Sequence, residues 1–555
     1  MTHAFHALTL VLVLSSLPFA AAQPPPDAAQ QVDAIFEPWS SLKTPGCAVG
    51  VAQKGLTVLS RAYGMADLEH DIPNAHDTIF EGGSVSKQFT AAAVILLALD
   101  GKLSLDDDVR KYVPEVPDYG DTITLRHMMN HTSGLRDWGS VAGISGWGRQ
   151  ERTHTHAHVI DIVSRQSALN FEPGHEYSYC NTGFNLLAII VSRVSGMSFA
   201  EFSKKRLFEP LGMAHTQWRD DYTRIVKNRS TAYSVEDGDV TIMRPIENVH
   251  GNGGILTTVG DLLLWNQALS DGRLGGADFT RMMLERGRLN DGRQISYASG
   301  LVVSSFAGVP SITHTGSTSG YRAFLGRYPE QELSVAMLCN ASNVPTSETG
   351  EAIARVYLGD EAKPPVAPRE HPVTAEALSR VTGLYRNTST GVPLHVALEN
   401  GSLQLDGWIQ LVPVADSEFQ SSTGSRRVTV EQNASGERLS IRMVSGDGDV
   451  DRFEPVEPFS PDAAQRSAYE GEYTSYDAET NFVISVVDGE LTLHRRPGWK
   501  VVLQPEYEDA FDAPGLGFIR FHRDANRVVD LSLRLPRVYD MRFQRTAEKA
   551  HSSTH

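Results

Sequence analysis

The hydrophobic pattern changes period several times along the chain, and each change marks an element. Residues 32–42 have helical spacing, and residues 47–52 and 56–63 read as two strands turned at Lys54-Gly55. From 89 to 99 apolar residues fall on every side with no Gly or Pro. That is the pattern of a helix buried all round, entered through Gly82-Gly83 and closed by Gly101. Residues 125–135 predict a short helix ending in a Gly turn, and residues 182–194 and 259–269 predict two further helices. Alternation returns at 311–317, a strand edge ending in a turn. It continues in strands over 321–328 and 333–339, joined at Pro329, before a closing helix over 351–357. A hairpin, a run of helices and a second set of strands predict one mixed α/β layered domain over residues 23–360.

The pattern shifts at Glu361-Ala362-Lys363-Pro364-Pro365-Val366-Ala367-Pro368, within a Pro-rich linker over 361–373. Everything beyond it reads as short strands, and it reads twice. Gly383-Leu384-Tyr385 returns as Gly471-Glu472-Tyr473, and Asn400-Gly401-Ser402-Leu403 as Asp488-Gly489-Glu490-Leu491, both 88 residues on. Phe419 and Phe511 stand 92 apart, and Arg452-Phe453 and Arg542-Phe543 stand 90 apart. Two all-β, barrel-like domains are expected, over 374–457 and 466–546, with a second linker over 458–465. Each has room for about eight strands at ~10 residues per strand and turn.

Composition narrows the classes of partner. With 50 basic against 67 acidic residues the net charge is −17, and no basic run tracks phosphate, so nucleic acid is not an expected partner. An apolar run over 7–22 ends in Ala20-Ala21-Ala22 ahead of Gln23-Pro24-Pro25-Pro26. Residues 1–22 are therefore expected to be a signal peptide and the protein secreted or periplasmic, with no membrane span in the mature chain. Three cysteines, Cys47, Cys180 and Cys339, are odd in number and widely spaced. They argue against a disulfide framework or a zinc site, so the fold is expected to rest on its cores. His154, His156 and His158 lie close together, but on a helix only His154 and His158 would share a face. The cluster reads as a solvated surface, and no metal or cofactor is expected.

Candidate chemistry begins at the mouth of the buried helix, with Ser84 and Lys87. A spacing of three sets the amine over the face of the hydroxyl, where a helix N-terminus offers N–H groups and partial positive charge. Ser40 and Lys43 share the spacing but are followed by Pro45-Gly46 and lead into no helix. Tyr179-Cys180-Asn181 stands at the start of another apolar helix, although Tyr385 to Asn387 shows how common the triplet is. His314-Thr315-Gly316 comes third, with His314 expected as a further catalytic residue. In this order, together with Asn130-His131-Thr132-Ser133-Gly134-Leu135, Phe171-Glu172-Pro173-Gly174 and Gly253-Gly254, the motifs resemble those of the penicillin-recognising serine hydrolases. That family includes class C β-lactamases, D,D-peptidases, esterases of the β-lactamase fold and D-aminopeptidases.

The resemblance covers residues 32–358 and implies an antiparallel sheet flanked by helices. It implies that Ser84 attacks a carbonyl to form an acyl-enzyme, that Lys87 draws off its proton, and that Tyr179 assists as base or acid. Asn181 would hold Lys87 and a substrate amide, and the N–H groups of Ser84 and Ser317, beyond Thr315-Gly316, would form the oxyanion hole. β-Lactamases of this type usually carry Lys where His314 stands, and its charge helps bind the substrate carboxylate. The expected substrate is therefore a small molecule or short peptide cleaved at an amide or ester, as by D-aminopeptidases, D,D-peptidases or esterases. A class C-like β-lactamase and a non-hydrolytic penicillin- or ligand-binding protein are the alternatives. The paired C-terminal domains resemble the lipocalin-like barrels of D-aminopeptidases, which implies a barrel loop reaching over the Ser84 cleft.

Overall fold

In the computed structural model the described residues are 27–364, 367–432, 438–446 and 448–546. The expected signal peptide, residues 1–22, lies outside them, as do Pro365 and Val366 of the linker. Helix α1 (Ala28–Ile35) begins earlier than the spacing predicts, and a separate 3₁₀ turn over Glu37–Trp39 follows it. Pro38 has no N–H to continue a helical ladder, which accounts for the break. Strands β1 (Cys47–Gln53) and β2 (Leu56–Tyr63) form the expected hairpin, with Lys54 and Gly55 both at positive φ. Among the helices that follow, α2 (Ser86–Leu99), α3 (Asn181–Ser195) and α4 (Val259–Asp271) carry the apolar runs. The chain then returns through β3 (Val302–Phe306), β4 (Val309–Thr318), β5 (Tyr321–Tyr328) and β6 (Leu333–Cys339) to α5 (Thr346–Leu358).

The six strands make one antiparallel sheet in the order β3-β4-β5-β6-β1-β2. Its centre is covered on both faces, which is why β1 is apolar without alternation. Val49 and Val51 pack in the cluster of α1 and α5, whereas Ala48 and Ala52 belong to the larger cluster of α2, α3 and α4. Helix α2 buries twelve of its fourteen residues. Its polar side chains must then be bonded internally. Trp265 Nε1 donates to Gln88 Oε1 at 2.8 Å, and Thr90 donates to Gly251 O at 2.7 Å.

The sheet overturns the reading of the cysteines. Register places Cys47 opposite Cys339 on β1 and β6, and the two form a disulfide that closes 292 residues of chain. A separation of that size leaves no spacing signal; only the pairing of β1 with β6 brings the sulfurs together. Cys180 is free and buried. The histidine cluster is also no solvated surface. His154 is 3 % exposed and its Nε2 donates to Trp147 O, while His156 Nε2 bonds His250 O and His158 Nδ1 accepts from Thr155 N. Each has a structural bond that only the folded chain supplies.

Beyond the linker, eight strands from Gly383–Asn387 to Val450–Pro455 close a barrel, the first pairing the last with Asn387 opposite Phe453. The second copy has nine segments, yet it fills the same ring. Trp499–Val502 pairs with Glu490–Arg495, and one residue later Gln504–Pro505 pairs with Ala510–Ala513, so the two short segments take one place. The duplication extends to detail. Short helices Ala375–Ser379 and Ala463–Tyr469 precede the copies, Tyr385 donates to Val381 O, and 88 residues on Tyr473 donates to Tyr469 O. Residues 458–465 are thus partly helical rather than pure linker.

The second barrel packs on the α/β domain through a shared core and a buried pair, Arg136 Nη1 to Asp477 Oδ2 at 2.7 Å. Its last hairpin, β7 (Arg527–Leu535) and β8 (Val538–Arg545), is tied down at the turn. Asp137 N and Asn170 Nδ2 both donate to Arg537 O, and Tyr539 N donates to Asn170 Oδ1 at 2.7 Å.

Candidate active site

Ser84 sits in a 3₁₀ turn, Gly83–Val85, just ahead of α2, and not in the helix itself. The turn abuts the open end of β4. Strand β3 pairs only with residues 309–313, so the edge from His314 to Thr318 faces the turn. The backbones meet where neither chain has a side chain. A Cβ on Gly316 would lie 2.1 Å from Gly82 O, and one on Gly83, which has φ +50°, would lie 2.7 Å from Ser317 N. Two glycines thereby bring the Ser84 and Ser317 backbones together, as an oxyanion hole requires.

Lys87 follows on the first turn of α2 with no exposed surface. Its Nζ donates to Asn181 Oδ1 at 2.9 Å and Asn252 O at 2.7 Å, and lies 3.1 Å from Ser84 Oγ. Burial pushes its pKa well below the ordinary lysine value, and the positive charges of Arg537 and Arg149 push the same way. A neutral amine has two hydrogens and one lone pair. Two fixed acceptors take the hydrogens and leave the lone pair for the Ser84 proton.

Tyr179 and Asn181 flank the start of α3, which Asp137 holds by accepting from Asn181 N at 2.7 Å. His131 fixes the approach, accepting from Cys180 N at 3.0 Å while its ring packs 4.2 Å from that of Tyr179. Burial raises the pKa of the Tyr179 phenol, and the nearby Ser84 hydroxyl only partly offsets this. The phenol stays protonated at neutral pH. Its ring lies near the Lys87 amine, with Nζ 4.7 Å from the centroid, and near the Arg537 guanidinium, whose carbon lies 4.8 Å from it.

His314 is buried on β4, with Nδ1 donating to Thr315 O at 2.6 Å and Nε2 accepting from Tyr297 O–H at 2.9 Å. Burial and the nearby Lys87 lower its pKa to about 4. At neutral pH it carries no charge, and its bonds make it a support for the edge of β4. Of the residues named from the sequence, Ser84, Tyr179, Asn181, His314, Thr315 and Ser317 line one cavity of about 320 Å³, with Gly316 between them on β4 and Lys87 buried behind Ser84.

The same cavity contains residues the sequence did not single out as site residues, Arg149, Asn252 and Arg537. Asn252 directly precedes the Gly253-Gly254 pair of the motif set. Arg149 and Arg537 carried no signal, since one comes from an irregular loop and the other from the last hairpin of a different domain. Arg149 ends a buried ionic chain. Its guanidinium pairs with Glu247 Oε2 at 2.8 Å, Glu247 lies 3.6 Å from Arg219, and Arg219 pairs bidentately with Glu81 under the Ser84 turn.

Comparison with known proteins agrees with this geometry, because the beta-lactamase family model matches residues 30–358. The chain belongs to the beta-lactamase family. Within that family it is 27% identical over 406 residues to penicillin-binding protein 4* of Bacillus subtilis (strain 168), covering 68% of this chain and 88% of the relative. It is 29% identical over 320 residues to a D-aminopeptidase of Brucella anthropi, covering 57% of this chain and 60% of the relative. In fold it is similar to the octameric penicillin-binding protein homologue from Pyrococcus abyssi. That likeness has a TM-score of 0.56 at 24% identity and covers 77% of this chain and all of the other. The beta-lactamase-type domain and the barrel-like domains after it are thus as the sequence led one to expect.

Proposed function

We propose that this protein hydrolyses an amide or ester bond of a small substrate, a short peptide containing a D-amino acid above all, through an acyl-Ser84 intermediate. The observation that carries the reading is the Lys87 amine. It is wholly buried, bonded to two fixed acceptors, and 3.1 Å from Ser84 Oγ. As the carbonyl is attacked, the Ser84 proton passes to Lys87 Nζ and the oxyanion forms against the N–H groups of Ser84 and Ser317. Tyr179, a protonated phenol lining the same cavity as Ser84, gives its proton to the leaving amine or alkoxide and recovers one from Lys87. Water then attacks the acyl-enzyme with the same groups acting in reverse. The D-amino-acid preference draws on the relative named above as a D-aminopeptidase.

Incubation with a fluorophosphonate, followed by comparison of a D-alanyl amide, p-nitrophenyl acetate and nitrocefin, tests the reading. Labelling should disappear in Ser84→Ala, and the wild-type protein should turn over the amide or the ester. Labelling that persists in Ser84→Ala would defeat it. Export belongs to the same proposal, supported by the apolar run over 7–22 and by a disulfide that suits an oxidising compartment. N-terminal sequencing of protein recovered outside the cytoplasm should begin near Gln23.

A further inference from the structure

The Ser84 cavity is electrostatically lopsided. Arg149 and Arg537 line it, and no carboxylate does. The two arginines are not equivalent. Arg149 is paired with Glu247, so its charge is largely spent within the fold. Among the described residues, Arg537 is held through its carbonyl, which accepts from Asp137 N and Asn170 Nδ2, and through the face of Tyr179. Among the described residues no carboxylate lies within ion-pair distance of its guanidinium. The nearest candidate in sequence, Asp540, pairs with Arg542 instead. The planar fork is therefore left with unused donors at the mouth of a cavity built for acyl transfer.

His314 cannot supply this charge. Both of its ring nitrogens are occupied and it is neutral at neutral pH. The cavity's unpaired guanidinium comes instead from the barrel hairpin, at Arg537.

We propose that Arg537 is the anion receptor of the active site and that the preferred substrates carry a carboxylate close to the scissile bond, rather than a free ammonium group. This rests on the acyl-Ser84 reading for its use in catalysis, but not for its test. Charge-assisted pairing with a carboxylate in a half-buried site favours the anionic ligand by about ten- to hundredfold, while two arginines disfavour an ammonium group at the same place.

Equilibrium binding to the full chain carrying Ser84→Ala separates the two ideas, because no acylation is needed. The ligands are N-acetyl-D-alanyl-D-alanine, its C-terminal amide, and the N-succinyl peptide amide, which moves the carboxylate to the acyl side. One of the two carboxylate ligands should bind about ten- to hundredfold more tightly than the neutral amide, and which one does so locates the receptor. Adding Arg537→Gln should abolish the advantage, Arg537→Lys should retain part of it, and Arg537→Glu should turn the preference towards D-alanyl-D-alanine amide with its free amine. Retention in Arg537→Lys distinguishes loss of charge from collapse of the hairpin, and thermal melting of each variant checks the same point. Equal binding of neutral and anionic ligands, or an advantage that survives Arg537→Gln, overturns the proposal while leaving Ser84 chemistry untouched. Persistent labelling of the Ser84→Ala protein would defeat only the catalytic reading.

Discussion

Replacing Lys87 by methionine separates its chemistry from its packing. The side chains are similar in length, so the apolar stem keeps its place in α2, but the amine between Ser84, Asn181 and Asn252 is lost. Two consequences follow. Removing a positioned general base costs about 100- to 10,000-fold in the acylation rate. Asn181 Oδ1 and Asn252 O also lose their donor, at about 1–3 kcal/mol each, offset by no longer burying an amine, for a net loss on the order of 2 kcal/mol. Stopped-flow acylation by a p-nitrophenyl ester reads the first effect and urea unfolding the second. In the wild type the acidic limb of the acylation profile reports protonation of Lys87 and lies well below the ordinary lysine range. It should vanish in Lys87→Met. Arg149→Gln should move the limb to higher pH, since removing a positive neighbour makes the ammonium form easier to hold. Acylation of Lys87→Met within tenfold of wild type, or with the acidic limb intact, would refute the assignment of the base.

The neutral state of His314 makes stability depend on pH. Its pKa falls from 6.5 to about 4 on folding, so the unfolded chain binds the extra proton between those values and stability is lost as pH falls through that window. The effect is about 3 kcal/mol, and urea midpoints from pH 7 to 4 should decline less steeply in His314→Gln. Arg219→Ala leaves the Glu81 carboxylate, fully buried, without its bidentate partner, and should cost about 3–5 kcal/mol in unfolding experiments. An unchanged midpoint would remove the ionic chain from the account of stability. Cys339→Ala opens a closure of 292 residues, for which chain entropy gives a loss of up to about 6 kcal/mol; a melting temperature equal to wild type would contradict it.

The sequence by itself determined those features whose cause is local. The all-round apolar run of α2 predicts a buried helix because nothing polar offers it a solvent face, and 12 buried residues follow. Strands β5 and β6 and the hairpin of β1 and β2 fall where alternation and turn residues place them. The repeat of 88 residues announces two barrels because a duplicated core must reuse its apolar positions. Ser84 and Lys87 were legible for the same reason, being one helical turn apart.

What joins distant parts of the chain had no such signature. Cys47 meets Cys339 because of the register of β1 on β6, a property of the sheet rather than of either strand. His154 becomes buried, and His156 and His158 half-buried, because distant backbone closes around them. Arg537 enters the Ser84 cavity because the second barrel docks on the α/β domain through Arg136, Asp477 and Asn170. A sequence pattern reports the surroundings that a residue's own neighbours create. The charge of this active site is set by groups more than 300 residues apart in the chain, and only packing decides it.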